Sequence, residues 1–193
     1  ARYAVNAPLL TPETARAIAP FIPLAEMLGR FFAQFARSGF REITLEVAGD
    51  LAGHDVSPLA AAALRGMLET TTTERVNLVN ATHLAKARGI TLVERKTPDA
   101  GHFSTLISLS GSTGGRRTSV GGTISGGELR LVRLDDYQLD VAPTTTMLIT
   151  RHTDRPGMIG RVGTILAGAD VNISAMSLAR TAPRADALMV LAL

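Results

Sequence analysis

Residues 152–173 hold the side chains of this chain best suited to chemistry by type and spacing: His152, Asp154, Pro156, Gly157 and Asn172. The run Asp154-Arg155-Pro156-Gly157 follows a strand-like segment at 147–151, so it reads as strand, tight turn and helix start. Such a turn puts a carboxylate and an imidazole beside the unpaired N–H groups of a helix end, whose partial positive charge favours an anion. A free amino acid carries an ammonium and a carboxylate together, and this pairing offers each a partner. Asn172, with both a donor and an acceptor, extends the set. A plainer reading stays open, in which Asp154 caps the helix and Asn172 occupies a turn. Gly157, Gly160 and Gly163 recur at helix spacing and do not form a dinucleotide fingerprint. Glycine in a helix costs about 1 kcal/mol relative to alanine. The repeat therefore signals close approach by a ligand or a neighbouring subunit, or packing of the helix on a sheet.

A second constellation is glycine-rich and basic: Gly114-Gly115-Arg116-Arg117, Gly121-Gly122, Gly126-Gly127, Arg130 and Arg133. Arg117, Arg130 and Arg133 could hold an anion. Turn glycines and solvated arginines on an edge strand are the favoured account of them. His54, His83 and His102 have no acid or thiol at metal-ligand spacing and read as surface or packing histidines. Glu42 and Glu46 lie on the solvent side of a strand with no sign of burial. No catalytic residue and no metal site are expected.

Composition narrows the classes further. The net charge is +3, no long run of like charges occurs, aromatics make up 4% and Trp is absent. Nucleic acid is therefore not an expected partner. With no cysteine, disulfides and thiolate metal sites are excluded within these residues. No apolar run is long enough to span a bilayer and no signal peptide opens the chain, so a cytoplasmic protein with no membrane partner is expected.

The elements that must carry these groups are an α+β set. Thr11, Pro12 and Thr14 mark a helix start, Pro20 and Pro23 a break or kink. Leu24, Met27, Leu28, Phe31, Phe32 and Phe35 form an apolar helix face read as core. Gly39 ends that helix. Ile43, Leu45 and Val47 alternate in a half-buried strand. Ser57-Pro58 opens a second helix, and Asn80 caps a third that Gly89 closes. Strands are expected at 90–95, 103–109, 117–124, 128–134 and 138–141, with Gly126-Gly127 as a hairpin turn. The first domain, 1–142, is thus a mainly antiparallel sheet with helices to one side. Residues 143–193 read as strand 147–151, helix 156–168, strand 171–179, a turn at Pro183 and strand 187–193. This is the βαββ opening of a ferredoxin-like βαββαβ unit, truncated after its third strand. An opening without Met and a stop before the final helix and strand suggest a piece of a longer chain.

His152-x-Asp154-Arg155-Pro156-Gly157-x-Ile159-Gly160, followed by Val171-Asn172-Ile173, resembles the ACT domain, an amino-acid-sensing module of biosynthetic enzymes. Residues 3–8, Gly66 to Glu69, Val76 to Ala81 and Gly122 to Gly126 resemble the intervening domain that precedes that module in the long-form D-3-phosphoglycerate dehydrogenase family. The resemblance implies a regulatory part with no cofactor of its own, attached to an NAD-dependent enzyme that oxidises 3-phosphoglycerate in serine synthesis. It also implies an amino-acid effector such as L-serine, held by His152, Asp154, Pro156, Gly157 and Asn172 between two ACT units of a homo-oligomer, with the intervening domain as a further contact. The family's intervening domain implies an anion site, to which Arg130 conforms while Tyr137 and Ala142 depart from the basic pattern. Two alternatives remain: the regulatory part of an L-serine dehydratase, and a stand-alone amino-acid-binding regulator.

Overall fold

The computed structural model describes residues 10–36, 39–182 and 184–193. Residues 3–8 and the expected turn residue Pro183 lie outside that set.

Thr11 accepts a hydrogen bond from the Thr14 N–H and starts α1 (Pro12–Ile18). Proline at 20 and 23 interrupts the regular ladder, and a 3-10 turn at Ala19–Phe21 leads into α2 (Ile22–Phe35). After β1 (Glu42–Gly49), α3 (Ser57–Glu69) is opened by the Asp55 side chain. Its Oδ1 accepts from the Ser57 N–H at 3.0 Å, so the cap sits two residues earlier than Ser57 itself. Asn80 precedes α4 (Ala81–Ala87) without capping it. Its side chain accepts from the Asn77 N–H and donates to the Arg75 carbonyl.

The first sheet adds β2 (Thr91–Thr97), β3 (Thr105–Thr113), β4 (Arg116–Ser125), β5 (Glu128–Leu134) and β6 (Tyr137–Val141). Its six strands run in the order β2-β1-β3-β4-β5-β6. Only β1 and β2 pair in parallel. The α2–β1 and β1–α3 connections lay both helices on one face, where Leu24, Leu28, Phe32, Ile43, Leu45, Leu59 and Ile107 are buried. Of the three phenylalanines read as core, only Phe32 is fully buried. Phe31 and Phe35 are half-buried because they sit at the open end of α2.

Helices α2 and α3 cross closely through glycine. A Cβ on Gly66 would stand 2.0 Å from the Glu26 carbonyl oxygen, and one on Gly29 1.9 Å from that of Ala63. Glu26, Arg30, Arg65 and Glu69 close over this crossing in a ring of ion pairs at 2.9–3.3 Å.

The second sheet comprises β7 (Met147–Thr153), β8 (Ala175–Arg180) and β9 (Asp186–Ala192), with α5 (Met158–Gly168) between β7 and β8. β9 is central and antiparallel to both neighbours. The order β7-β9-β8 is the first, third and second strands of a ferredoxin-like unit. Along β9, Leu188 and Val190 join the core of the first domain together with Met147 and Ile149. The alternate residues Ala187, Met189 and Leu191 are also buried, on the opposite face of the sheet. The strand expected at 171–179 begins only at Ala175, because residues 171–174 form the turn that brings the chain back from α5.

Candidate functional site

Two strand registers set the site. His152 pairs with Ala187 on β9, and Ala187 pairs with Arg180 on β8. One row across the sheet thus carries an imidazole at one edge and a guanidinium at the other. At the end of β7 the Asp154 N–H donates to the Ala185 carbonyl at 2.8 Å, which folds the chain over that row. Gly157 then adopts φ +87, a left-handed conformation that disfavours a side chain, and α5 begins.

These residues bound a cavity of about 510 Å³ lined by His152, Asp154, Pro156, Gly157, Gly160, Leu178, Arg180 and Arg184, among others. The Asp154 carboxylate faces Arg180. Its Oδ2 accepts from the Arg180 Nη1 at 2.9 Å and from the Arg184 N–H at 3.4 Å. The Arg180 hydrogen bond, then that of Arg184, holds the Asp154 carboxyl below the usual carboxylate range. Asp154 is therefore not the cap of α5, whose start has no side-chain cap. The Met158 N–H donates to the Arg155 carbonyl at 3.4 Å, and the N–H groups of Ile159 and Gly160 that follow stay open to an anion.

The cavity unites His152, Asp154, Pro156 and Gly157 but leaves out Asn172. Asn172 is exposed in the turn before β8, at the Ala175 end, whereas the cavity lies at the Arg180 end. Within one chain the three polar residues do not converge. Arg180 and Arg184 were missed from sequence. Met176, Leu178 and Arg180 alternate and so share a face, a signal for Arg180, but only the register through Ala187 reveals that His152 is its neighbour.

Gly160 and Gly163 have nothing within 4 Å of where a Cβ would stand. Packing of α5 on its own sheet therefore does not explain them. Nearby, Ile159 and Ile165 on α5 and Met176 and Leu178 on β8 are exposed. The His152 Nδ1 and the Thr150 hydroxyl are buried without a hydrogen-bond partner among the described residues.

The three arginines of the second constellation separate. Arg117 and Arg133 line a cavity of about 350 Å³ with Ser119, Asp135, Asp136 and Gln138. Arg130 is held elsewhere, donating to the Asp140 carboxylate at 2.6 Å and pairing with Glu128 at 3.7 Å. Acids on β6 and at the start of β5 compete for it, which sequence spacing alone could not show. His54 Nδ1 lies 3.2 Å from the Thr14 hydroxyl. Glu42 is exposed and Glu46 half-buried. No cluster of three or more potential metal ligands occurs among the described residues. Among these residues no helix is long and apolar enough to cross a membrane.

A mainly antiparallel α+β domain joined in series to a β-α-β-β unit, with a charged cavity at the strand-to-helix turn, defines a regulatory chain of the ACT class. Residues 17–135 match the family model described as the D-3-phosphoglycerate dehydrogenase intervening domain, and residues 146–192 match the ACT domain. The chain belongs to the D-3-phosphoglycerate dehydrogenase intervening-domain family, with an ACT domain following. It is similar to the D-3-phosphoglycerate dehydrogenase of Synechocystis, 40% identical over 195 residues that cover 100% of this chain and 35% of the relative. The enzyme of that name from Archaeoglobus fulgidus is 30% identical over 192 residues, 100% of this chain and 36% of the relative. That from Bacillus subtilis is 31% identical over 191 residues, 97% and 36%. The chain spans about a third of the length of these relatives.

Proposed function

We propose that this chain is the effector-sensing portion of an NAD-dependent D-3-phosphoglycerate dehydrogenase, which oxidises 3-phosphoglycerate to 3-phosphohydroxypyruvate, and that it binds a free amino acid such as L-serine. In this reading the intervening domain ends at Ala142 and the ACT unit starts at Pro143. The observation that carries it is the Asp154–Arg180 pair at 2.9 Å in the wall of a cavity that also meets the uncapped start of α5. A zwitterion suits this wall because it can enter the pair end for end. Its ammonium takes the Asp154 carboxylate, and its carboxylate takes the Arg180 guanidinium or the open N–H groups of α5. His152 borders the same space and offers a ring nitrogen to a side-chain hydroxyl. The dehydrogenase names of the relatives favour this parent over a dehydratase.

A second copy of the chain completes the site. β8 is an outer strand of its sheet; it packs against β6 of the first domain through the side that holds buried Ala179, and carries exposed Met176 and Leu178 on its other face, with Ile159 and Ile165 exposed on α5. Outer apolar strands are templates for pairing. An antiparallel β8–β8 contact about a two-fold axis would set the start of one β8 against the end of the other. Asn172 of the second copy would then face Asp154 and His152 of the first. The open surface at Gly160 and Gly163 supports the same contact. Regulation would follow from a difference in effector affinity between two subunit arrangements, which shifts the population towards the less active one.

Isothermal titration of the chain with L-serine tests this directly. Saturable binding is expected, with glycolate and ethanolamine, each bearing one charged end, failing to compete. If Asp154→Ala binds L-serine as the unaltered chain does, the assignment of the ammonium is wrong.

A further inference from the structure

A larger cavity, about 780 Å³, lies elsewhere, where the end of α2, the β3–β4 hairpin and the first-domain side of β7 meet. We propose that it is a second ligand site, for a small organic anion with an apolar or aromatic body.

The apolar wall is Phe31, Phe35 and Ile149. The two rings are tilted at 38° with centroids 6.0 Å apart, and both are only half-buried. The polar wall is Arg116 and Arg151, with Thr118 on β4. The Arg151 guanidinium sits 5.2 Å from the centre of the Phe35 ring, so charge and aromatic surface are adjacent. Cavities of a few hundred Å³ with apolar walls and a few converging polar groups are what small-molecule sites look like.

The sign of the ligand's charge follows from counting partners. Among the described residues, Asp135 is the one acid within 4.0 Å of both guanidiniums. It forms a short hydrogen bond with Arg151, and Arg116 lies 4.0 Å away. Its other oxygen accepts from the Ser119 N–H at 2.9 Å. Among the described residues two guanidiniums thus share one paired carboxylate, an excess of one positive charge beside the cavity. A ligand carboxylate or sulfonate would satisfy that excess while its body lies along Phe31 and Phe35. It would also compete with Asp135 for Arg151. A neutral apolar molecule would leave the guanidinium excess unmet, and an inorganic anion would leave the phenylalanines wet.

The test uses two fluorescent probes of one shape, 8-anilino-1-naphthalenesulfonate and uncharged N-phenyl-1-naphthylamine, titrated into the 193-residue chain. The sulfonate is expected to bind saturably and more tightly than the neutral amine. Arg151→Gln and Arg116→Gln are expected to weaken the sulfonate, the former by about tenfold as a charge-assisted contact is lost, and to leave the amine unchanged. Asp135→Asn keeps an acceptor for Ser119 and tolerates the positive φ at that position, but frees the guanidiniums. It is expected to tighten the sulfonate severalfold, which a purely structural role for Asp135 would not do. Circular dichroism confirms that each variant is folded, and exposed Arg116 provides the reading if Arg151→Gln is not. Equal binding of the two probes, or sulfonate binding indifferent to Arg116→Gln and Asp135→Asn, would overturn the proposal.

Discussion

In a chain carrying Asn172→Ala, L-serine is expected to bind roughly ten- to a hundredfold more weakly, the range for losing a hydrogen bond to a charged group. Asp154→Ala is expected to lose at least as much, since it leaves the ammonium without a counter-charge. The geometry turns these two losses into a count. Ala175 and Arg180 bound β8, and five steps at about 3.3 Å separate their Cα atoms by about 17 Å. Asn172 precedes even Ala175, so its short side chain cannot reach the Asp154 end of its own strand. In a two-fold pair each site takes Asp154 from one chain and Asn172 from the other. When the two variants are mixed in equal amounts and exchange freely, about half of the pairs are mixed. Each mixed pair has one site with both residues and one with neither, so about a quarter of all sites recover. Calorimetry reads this as a tight-binding stoichiometry near a quarter of the unaltered value. No recovery despite demonstrated exchange, or full affinity in Asn172→Ala alone, would refute the shared site.

Three further outcomes rest on the packing and the charges. Gly66→Ala places a Cβ 2.0 Å from a backbone oxygen of α2; overpacking of this kind costs about 1–3 kcal/mol, more than the roughly 1 kcal/mol that alanine gains in a helix, so the melting temperature falls. Gly160→Ala in α5 meets open space and is expected to stabilise the isolated chain by up to about 1 kcal/mol, while weakening self-association. Differential scanning calorimetry separates the two, and a rise for Gly66→Ala would contradict the close helix crossing. Arg180→Gln removes the main cause of the depressed Asp154 carboxyl, so that carboxyl titrates at higher pH. A group lowered in the folded state contributes stability above its unfolded pKa and loses it as pH falls through the folded value. The Asp154 contribution is therefore present at neutral pH and lost only below about pH 4. Carbon-detected NMR titration of the Asp154 carboxyl checks the shift, and an unchanged midpoint in Arg180→Gln would count against the pairing.

Much of the fold was legible because local signals agreed with one another. The Thr11–Pro12 start, the alternation of Ile43, Leu45 and Val47, and the Gly126-Gly127 hairpin each follow from short-range sterics and burial. The strand expected from 171 was misplaced, since Val171 and Ile173 have strand-like side chains but lie in the return from α5. At the site, the Asp154-to-Gly157 turn was legible because a turn and a helix start need those residue types. Arg180 and Arg184 were not, since they approach Asp154 only through the registers of β8 and β9 with β7. The separation of Arg130 from Arg117 and Arg133 was hidden for a related reason: its acidic partner Asp140 sits on the next strand, invisible to spacing along β5. Phe31 and Phe35 follow the helical period of core residues, yet they overhang the end of the sheet, and periodicity does not say where a sheet stops.

Alternation along β7 gives adjacent residues different neighbours. Met147, Ile149 and Arg151 face the first domain, where Arg151 meets Asp135 and Phe35. His152 faces the other way, into the cavity beside Asp154. A slip of one residue would exchange these faces and dismantle both cavities at once. Register is therefore the property the strand must keep, and the buried row on β9 supplies it. Leu188 pairs with Arg151 and Val190 with Ile149, and both are only 1% exposed. Because one strand walls two cavities, a shift of β7 that suits a guest on one side alters the wall on the other. If both cavities take the ligands proposed for them, this shared strand is the element through which occupancy of one would be felt by the other.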